Sequence, residues 1–365
     1  MNDEAFMARA LALGRAGLGL TAPNPSVGAI LVRDGAMLGQ GATSPGGRPH
    51  AERNALDAAG AAAKGATLYV TLEPCSHQGQ SPPCVDAIIA AGVARVVSAM
   101  QDPDPRVAGE GHARLRQAGI AVAVGVGEAE ARIDHRGHIL RVTQGRPMVT
   151  LKLARTADGY AAGDEHDPRL HITGQAANQL VHDMRAAHDA IMVGVGTALI
   201  DDPLLTVRPP APHGRPLRVV LDSRLRLPLR SRLCATAREF PTVVVATRAA
   251  GIGPERALAA EGVEVQRVDA DAAGHVDLKS ALAALAARGV TRVFSEGGPR
   301  VGSNLIAQGL ADDVALFTAL RPLGRTGVPA LDAAALADLD DARRYVQIEA
   351  VALGPDQYRL LRRKS

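Results

Sequence analysis

The chain has 365 residues, long for a single hydrophobic core, so two domains are expected. Its 47% hydrophobic residues suffice for both cores, while a net charge of +3 and 2% aromatics, with no Trp, argue against nucleic-acid binding and base stacking. Three cysteines are too few for a disulfide framework and point to a reducing compartment, the cytoplasm; the acidic start and the lack of an apolar run of about 20 residues predict neither signal peptide nor membrane span.

Charge is even along the chain, with 14 Lys/Arg against 13 Asp/Glu through residue 146. Residues 4–17 place Ala, Met and Leu at helical spacing, with Asp3 as the expected N-cap. Val27–Val32 reads as a buried strand, and Asp34-Gly35 as a turn into a strand near Met37–Gly41. Pro49 suits the first turn of a helix carrying His50 and Glu52 and stopping at Gly60. Strands at Thr67–Leu72 and Ala94–Ala99 alternate with helices at Cys84–Ala91 and Ala108–Ala118, so this half is a layered α/β domain.

Within it, Pro49-His50-Ala51-Glu52, Glu73-Pro74-Cys75-Ser76-His77 and Pro82-Pro83-Cys84 form the chemical centre. Imidazole and thiolate are ligand types zinc prefers, and three ligands leave a fourth position for a water whose pKa the metal lowers. His50, Cys75 and Cys84 are the expected ligands, placed at helix starts where backbone N–H groups favour thiolate. Glu52, two residues past His50, has no purpose in a closed structural site; it suits the proton shuttle of a zinc deaminase. A fourth ligand, for which His77 is available, would instead close the site into a structural one.

Thr143-Gln144-Gly145-Arg146-Pro147 is a polar break, and a strand at Met148–Ala154 follows. Domains are therefore expected at 1–145 and 146–365. The second half also alternates. Helices are expected at Gln175–Ala187, Leu278–Arg288 and Val301–Gln308. Strands are expected at Ala190–Gly194, Leu217–Leu221, Thr242–Ala246, Arg292–Ser295 and Asp313–Ala319. Glu296-Gly297-Gly298-Pro299 lies between a strand and a helix, where glycines admit a close ligand and the helix start offers N–H donors to phosphate. Val193-Gly194-Val195-Gly196-Thr197 is a second small-residue strand end. With nearby arginines these suit a phosphorylated cofactor or substrate, and equally suit plain turns with surface charge.

The chain resembles the bifunctional riboflavin-biosynthesis deaminase-reductases. The resemblance rests on Thr21–Gly28, Pro49–Glu52, Thr71–Cys84 and Gln101–Gly109 in the first half. In the second it rests on Leu151–Ala154 with Asp158-Gly159, Gly196–Arg208, Leu221-Asp222-Ser223 and Glu296–Pro299. It implies a cytidine-deaminase-like three-layer α/β/α domain followed by a dihydrofolate-reductase-like α/β domain. It also implies one Zn2+ and NADPH, with zinc-dependent deamination of 2,5-diamino-6-(5-phosphoribosylamino)pyrimidin-4-one. Reduction to 5-amino-6-(5-phosphoribitylamino)uracil would follow. A small-molecule substrate and a homo-oligomer are expected, without nucleic-acid or membrane partners.

Carried over by motif, Asn24 would contact the pyrimidine. Ala154, His171, Thr197, Asp201, Ser223 and Gly298, Pro299, Arg300, Val301, Gly302, Ser303 and Asn304 would hold NADPH. Arg169, Arg185, Leu205, Arg208 and Glu296 would hold substrate, the arginines gripping a phosphate dianion with paired hydrogen bonds. Lys152 and Asp201 are candidates to polarise or protonate the reacting centre. Two departures stand out: Gln80 replaces a frequent basic residue, and residues 160–171 run one residue longer than the usual pattern. Rival readings are a nucleoside or RNA deaminase with an appended domain, a zinc-stabilised module that senses a nucleotide, and a chain with one degenerate domain.

Overall fold

The computed structural model describes residues 2–79, 81–105, 107–164, 167, 170–208 and 214–364. Gln80 and Arg169 lie outside these. The chain divides into two compact units, Met1–Pro147 and Met148–Ser365.

The first unit runs α1 (Asp3–Ala16), β1 (Gly28–Arg33), β2 (Ala36–Ala42), α2 (Ala51–Ala59), β3 (Thr67–Val70), α3 (Cys84–Ala90), β4 (Arg95–Ser98), α4 (Glu110–Gln117), β5 (Ala121–Val124), α5 (Glu128–Asp134) and α6 (Arg136–Gln144). Its sheet has the order β2-β1-β3-β4-β5, with β1 antiparallel to both neighbours and β3, β4 and β5 parallel. Helices cover both faces, which is why β1 is buried in five of its six residues. On one face α1 crosses Gly28; on the other α2 crosses Gly41, where a Cβ would lie 2.6 Å from the carbonyl oxygen of Ala51. That close approach fixes where α2 begins, and its first turn carries Glu52.

The second unit runs β6 (Met148–Arg155), β7 (Tyr160–Ala162), α7 (Gln175–Ala186), β8 (Ala190–Gly194), α8 (Val195–Asp201), β9 (Leu217–Leu221), α9 (Arg232–Ala235), β10 (Thr242–Thr247), α10 (Ile252–Ala260), β11 (Glu264–Val268), α11 (Leu278–Ala287), β12 (Arg292–Ser295), α12 (Pro299–Ala307), β13 (Asp313–Ala319), β14 (Val328–Pro329), α13 (Ala333–Asp340), β15 (Tyr345–Leu353) and β16 (Asp356–Arg363). Nine strands form one sheet in the order β11-β10-β9-β8-β12-β6-β13-β16-β15, parallel except at the β13-β16-β15 end. Alternate residues of β8 feed opposite cores, Ala190 and Met192 one and Ile191 and Val193 the other. Both faces are therefore filled.

Several expectations are corrected. Asn2, not Asp3, caps α1 and accepts the Ala5 N–H, while the Asp3 carboxylate is drawn off to Arg95 at 2.6 Å and Tyr69 at 2.7 Å. His50 is the N-cap of α2 and so precedes the helix, leaving its ring free to turn toward the cysteines. Cys75 sits in a loop; of the three expected ligands only His50 and Cys84 stand at helix starts. The third strand ends at Val70 rather than Leu72, and α4 begins at Glu110 rather than Ala108. The C-terminal hairpin of β15 and β16 was not expected; β15 is an edge strand with seven of nine residues exposed, so it lacks the burial pattern that marks the inner strands.

Candidate active sites

In the first unit α2 and α3 bring two segments together. One atom each from His50, Cys75 and Cys84 lies within 4.8 Å of the others. His50 Nδ1 stands 3.6 Å from Cys75 Sγ and 3.4 Å from Cys84 Sγ. A tetrahedral zinc with Zn–S of about 2.3 Å and Zn–N of about 2.0 Å separates N from S by about 3.5 Å. One ring nitrogen facing two sulfurs at that spacing fits a shared cation better than a single N–H bond. The backbone N–H of Cys84, opening α3, donates to Cys75 Sγ at 3.2 Å, as a helix start does for a thiolate. Cys84 also donates to Cys75, which with His50 draws the Cys75 thiol down to about 4 and pushes Cys84 up.

Glu52 is 4% exposed, and its carboxyl lies against the cluster of His50, Cys75 and Cys84. Burial, then the Cys75 thiolate, pushes it up to about 7. A carboxyl beside the ligand sulfurs, poised between acid and base, is equipped to carry a proton. Asn24 Nδ2 donates to the Gly47 carbonyl at 2.8 Å and lies 3.3 Å from His50 Nε2. His77 lines the same cavity of about 130 Å³ but is not among the clustered residues, so among the described residues three ligand atoms, not four, converge there.

The cavity holds groups to which sequence reasoning gave no role: Arg48, Glu73, Asp102, Asp104 and His138. Glu73 is buried and accepts backbone N–H groups of Asp102 at 3.1 Å, Gly109 at 2.9 Å and His112 at 3.2 Å. It thereby ties the segment of Cys75 to the Asp-Pro-Asp loop, and α4 comes so close that a Cβ on Gly111 would be 2.2 Å from the Pro74 carbonyl oxygen. His138 Nε2 lies 2.9 Å from Asp102 Oδ1 and holds that carboxylate in place. Two acids two residues apart, flanked by prolines, were the available signal in the sequence.

In the second unit the small-residue ends of β8 and β12 are neighbours in the sheet. Val301 of α12 packs between them: a Cβ would lie 3.0 Å from it on Gly194 and 2.7 Å from it on Gly297. A Cβ on Gly298, the N-cap of α12, would be 3.2 Å from Thr197 Oγ1. This glycine-walled cleft, with an uncapped helix start, fits a phosphorylated cofactor. Pro299, Arg300 and Val301 open α12, whereas Gly302 packs toward Leu153 and Ser303 accepts the Asp332 N–H at 3.0 Å, so these two face the protein interior. Asn304 is exposed. Ser223 Oγ accepts the Val276 N–H at 3.0 Å, His171 is exposed in the loop before α7, and Ala154 is half-buried on β6.

Arg185 of α7 donates to Glu296 at 2.5 and 2.9 Å and to the Thr206 carbonyl at 3.0 Å. Burial pushes the Glu296 carboxyl up, but Arg185 and Lys152 outweigh it and hold it below the usual range. Lys152 is thus a neighbour of Glu296, while Asp201 closes α8 half-buried. Arg208 Nε donates to His182 at 3.0 Å. Leu205 takes φ +50° with its side chain in the core, so its backbone, not its side chain, is what it can offer a ligand. Arg218, fully buried, donates to the Leu204 carbonyl at 3.1 Å and holds this loop from beneath.

Residues 147–350 match the family model described as the RibD C-terminal domain, and residues 1–100 that of the cytidine and deoxycytidylate deaminase zinc-binding region. The chain is 41% identical over 322 residues to the riboflavin biosynthesis protein RibD of Aquifex aeolicus, covering 88% of each chain. It is 38% identical to RibD of Escherichia coli, covering 98% of each. Among solved structures, Acinetobacter baumannii RibD, form 1, superposes with a TM-score of 0.87 at 33% identity, covering 100% of this chain and 99% of that one. A diaminohydroxyphosphoribosylaminopyrimidine deaminase/5-amino-6-(5-phosphoribosylamino)uracil reductase of Thermotoga maritima superposes with 0.85 at 34% identity, covering 99% of each.

Proposed function

The chain belongs to the RibD family of riboflavin-biosynthesis proteins, and we propose how its two sites divide the work of this bifunctional enzyme. The enzyme deaminates 2,5-diamino-6-(5-phosphoribosylamino)pyrimidin-4-one with zinc and then reduces the ribosyl group with NADPH, giving 5-amino-6-(5-phosphoribitylamino)uracil. We assign deamination to residues 1–145 and reduction to residues 146–365.

The observation that carries the first assignment is Glu52, buried against the cluster of His50, Cys75 and Cys84. Those three would hold the zinc, which when bound makes a water nucleophilic at neutral pH. The ring carbon gains the water's oxygen and loses its amino group as ammonia. Glu52 takes the water's proton and returns it to the departing nitrogen, and Asn24 orients the pyrimidine beside His50.

In the second unit, NADPH would lie against Ala154, His171, Thr197, Asp201, Ser223 and the start of α12, and supplies a hydride. The Arg185–Glu296 pair presents a fixed guanidinium beside the loop of Leu205, and Arg208 a second one. With Arg169 they suit the substrate's phosphate and hydroxyls. Lys152, beside Glu296, and Asp201 would supply the proton that accompanies the hydride.

No helix among the described residues is long and apolar enough to cross a membrane. Free Cys75, Cys84 and Cys234 suit a reducing compartment, and we place the enzyme in the cytoplasm. The exposed edge strand β15, with Val346, Ile348 and Val351 outward, suits pairing with a second copy in a homo-oligomer.

Mass spectrometry of products from the diaminopyrimidinone phosphate, run with and without NADPH, tests the reading. Deaminated product alone without NADPH, and ribityl product with it, are expected. Deamination that never proceeds to reduction would remove the assignment of the second unit.

A further inference from the structure

The deaminase cavity is lined by Glu52, Glu73, Asp102 and Asp104, together with the Cys75 thiol. Such a wall suits amines and hydroxyls as partners but repels a phosphate. The substrate nevertheless carries a phosphate dianion, and it must find a cation. Among the described residues lining the cavity, Arg48 is the one with a permanent positive charge.

Arg48 lies in the turn between β2 and α2, two residues before His50, and lines the same cavity as that ring. It is half-buried. Nη1 donates to Ser81 Oγ at 3.2 Å, and Nη2 lies 3.4 Å from where a Cβ on Gly79 would stand. Arg48 makes no ion pair with any described carboxylate, so its charge is met only by a hydroxyl. Asp102 is committed elsewhere, to His138 and to the Asp104 N–H at 2.9 Å. Gly79 leaves open space beside the guanidinium, since nothing but Arg48 would touch a side chain there. A half-buried guanidinium with unused donors, beside a serine hydroxyl from a second segment and in no ion pair with a described carboxylate, has the makings of an anion clamp.

We propose that Arg48, with Ser81, binds the phosphate of the deaminase substrate and is the residue that makes the first site select phosphorylated over dephosphorylated pyrimidine. This rests on the deaminase reading of the first unit. It assigns the phosphate-selecting cation to the segment that carries His50, and explains how a chain with Gln80 can still select a phosphate.

The test compares the holoenzyme with its Arg48→Ala and Arg48→Lys variants in the absence of NADPH. Two substrates are used, the diaminopyrimidinone phosphate and the same compound after phosphatase treatment, with zinc content measured alongside. Arg48→Ala should raise KM for the phosphorylated compound about 10- to 100-fold and collapse the preference between the two substrates by the same factor. Arg48→Lys should recover part of that preference. An alanine variant that retains zinc and the parent's preference ratio would overturn the proposal, as would equal losses on both compounds, which mark a merely structural arginine. Failure of the parent itself to deaminate the phosphate would instead overturn the deaminase reading.

Discussion

Glu52 shows how much one position depends on its surroundings. Its side chain is an ordinary carboxyl until α2 presses it beneath the cysteines, where burial costs the charged form its hydration and the Cys75 thiolate opposes ionisation. Replacing it by Gln keeps the shape and removes the proton carrier. Glu52→Gln should lower kcat for deamination by about 10²- to 10⁴-fold while zinc stays bound, measured by ammonia release and metal analysis. Substantial remaining turnover with full zinc would take the proton-carrying role away from Glu52. Reduction of the deaminated compound by the same variant should be unaffected, because Glu52 belongs to the other unit.

At the scale of elements, two side chains each join segments that would otherwise move separately. Glu73 gathers three backbone N–H groups from the Asp102 loop and the start of α4. A glutamine there can accept at only one of its two ends. Glu73→Gln should therefore destabilise the first unit by about 1–3 kcal/mol and slow deamination, with zinc retained; a variant as stable as the parent in urea would show that the carboxylate does not pin the loop. In the second unit, His188 follows α7 and joins it to β6. Nδ1 lies 2.6 Å from the Met184 carbonyl and Nε2 2.9 Å from Thr150 Oγ1. Burial, then Arg292, pulls its pKa down to about 3, so the folded imidazole stays neutral while the unfolded one protonates near the ordinary 6.5. Stability contributed by the neutral ring is therefore full above about pH 6.5 and is lost as pH falls toward 3. From pH 7 to pH 5 the parent should lose about 2 kcal/mol more than His188→Gln in the second unit's urea transition. Equal losses would place the acid sensitivity in other residues.

At the scale of the whole chain, each unit has its own sheet and its own cores, and the division falls between Pro147 and Met148. A metal that binds the folded first unit and not its unfolded chain stabilises that unit alone, by mass action. Calorimetry of the full chain should show a transition that moves to lower temperature on chelation and a second that does not. NADPH should raise only the second. A chelator that shifts both transitions equally would mean that the two units unfold as one.

Much of the candidate zinc site was legible in the sequence. His50, Glu52, Cys75 and Cys84 declare themselves because few residue types bind zinc and because their segments are short, so local order brings each pair of ligands most of the way. The inner strands declare themselves too, since strands covered on both faces read as continuous apolar runs, as in the fully buried β10. Chain order carries no such signal for contacts made across the fold. That Glu73 grips the Asp102 loop, that His138 holds Asp102 from α6, and that Arg48 is, among the described lining residues, the cation of an acidic cavity depend on side chains up to 90 residues apart, from Arg48 to His138, meeting on one end of the sheet. Gly302 and Ser303 lie in a segment that reads as ligand-binding, yet the phase of α12 turns them inward. Composition and spacing determined which chemistry this protein commands; only tertiary packing decided which charges face the substrate, because burial and long-range contact set the electrostatics of the site.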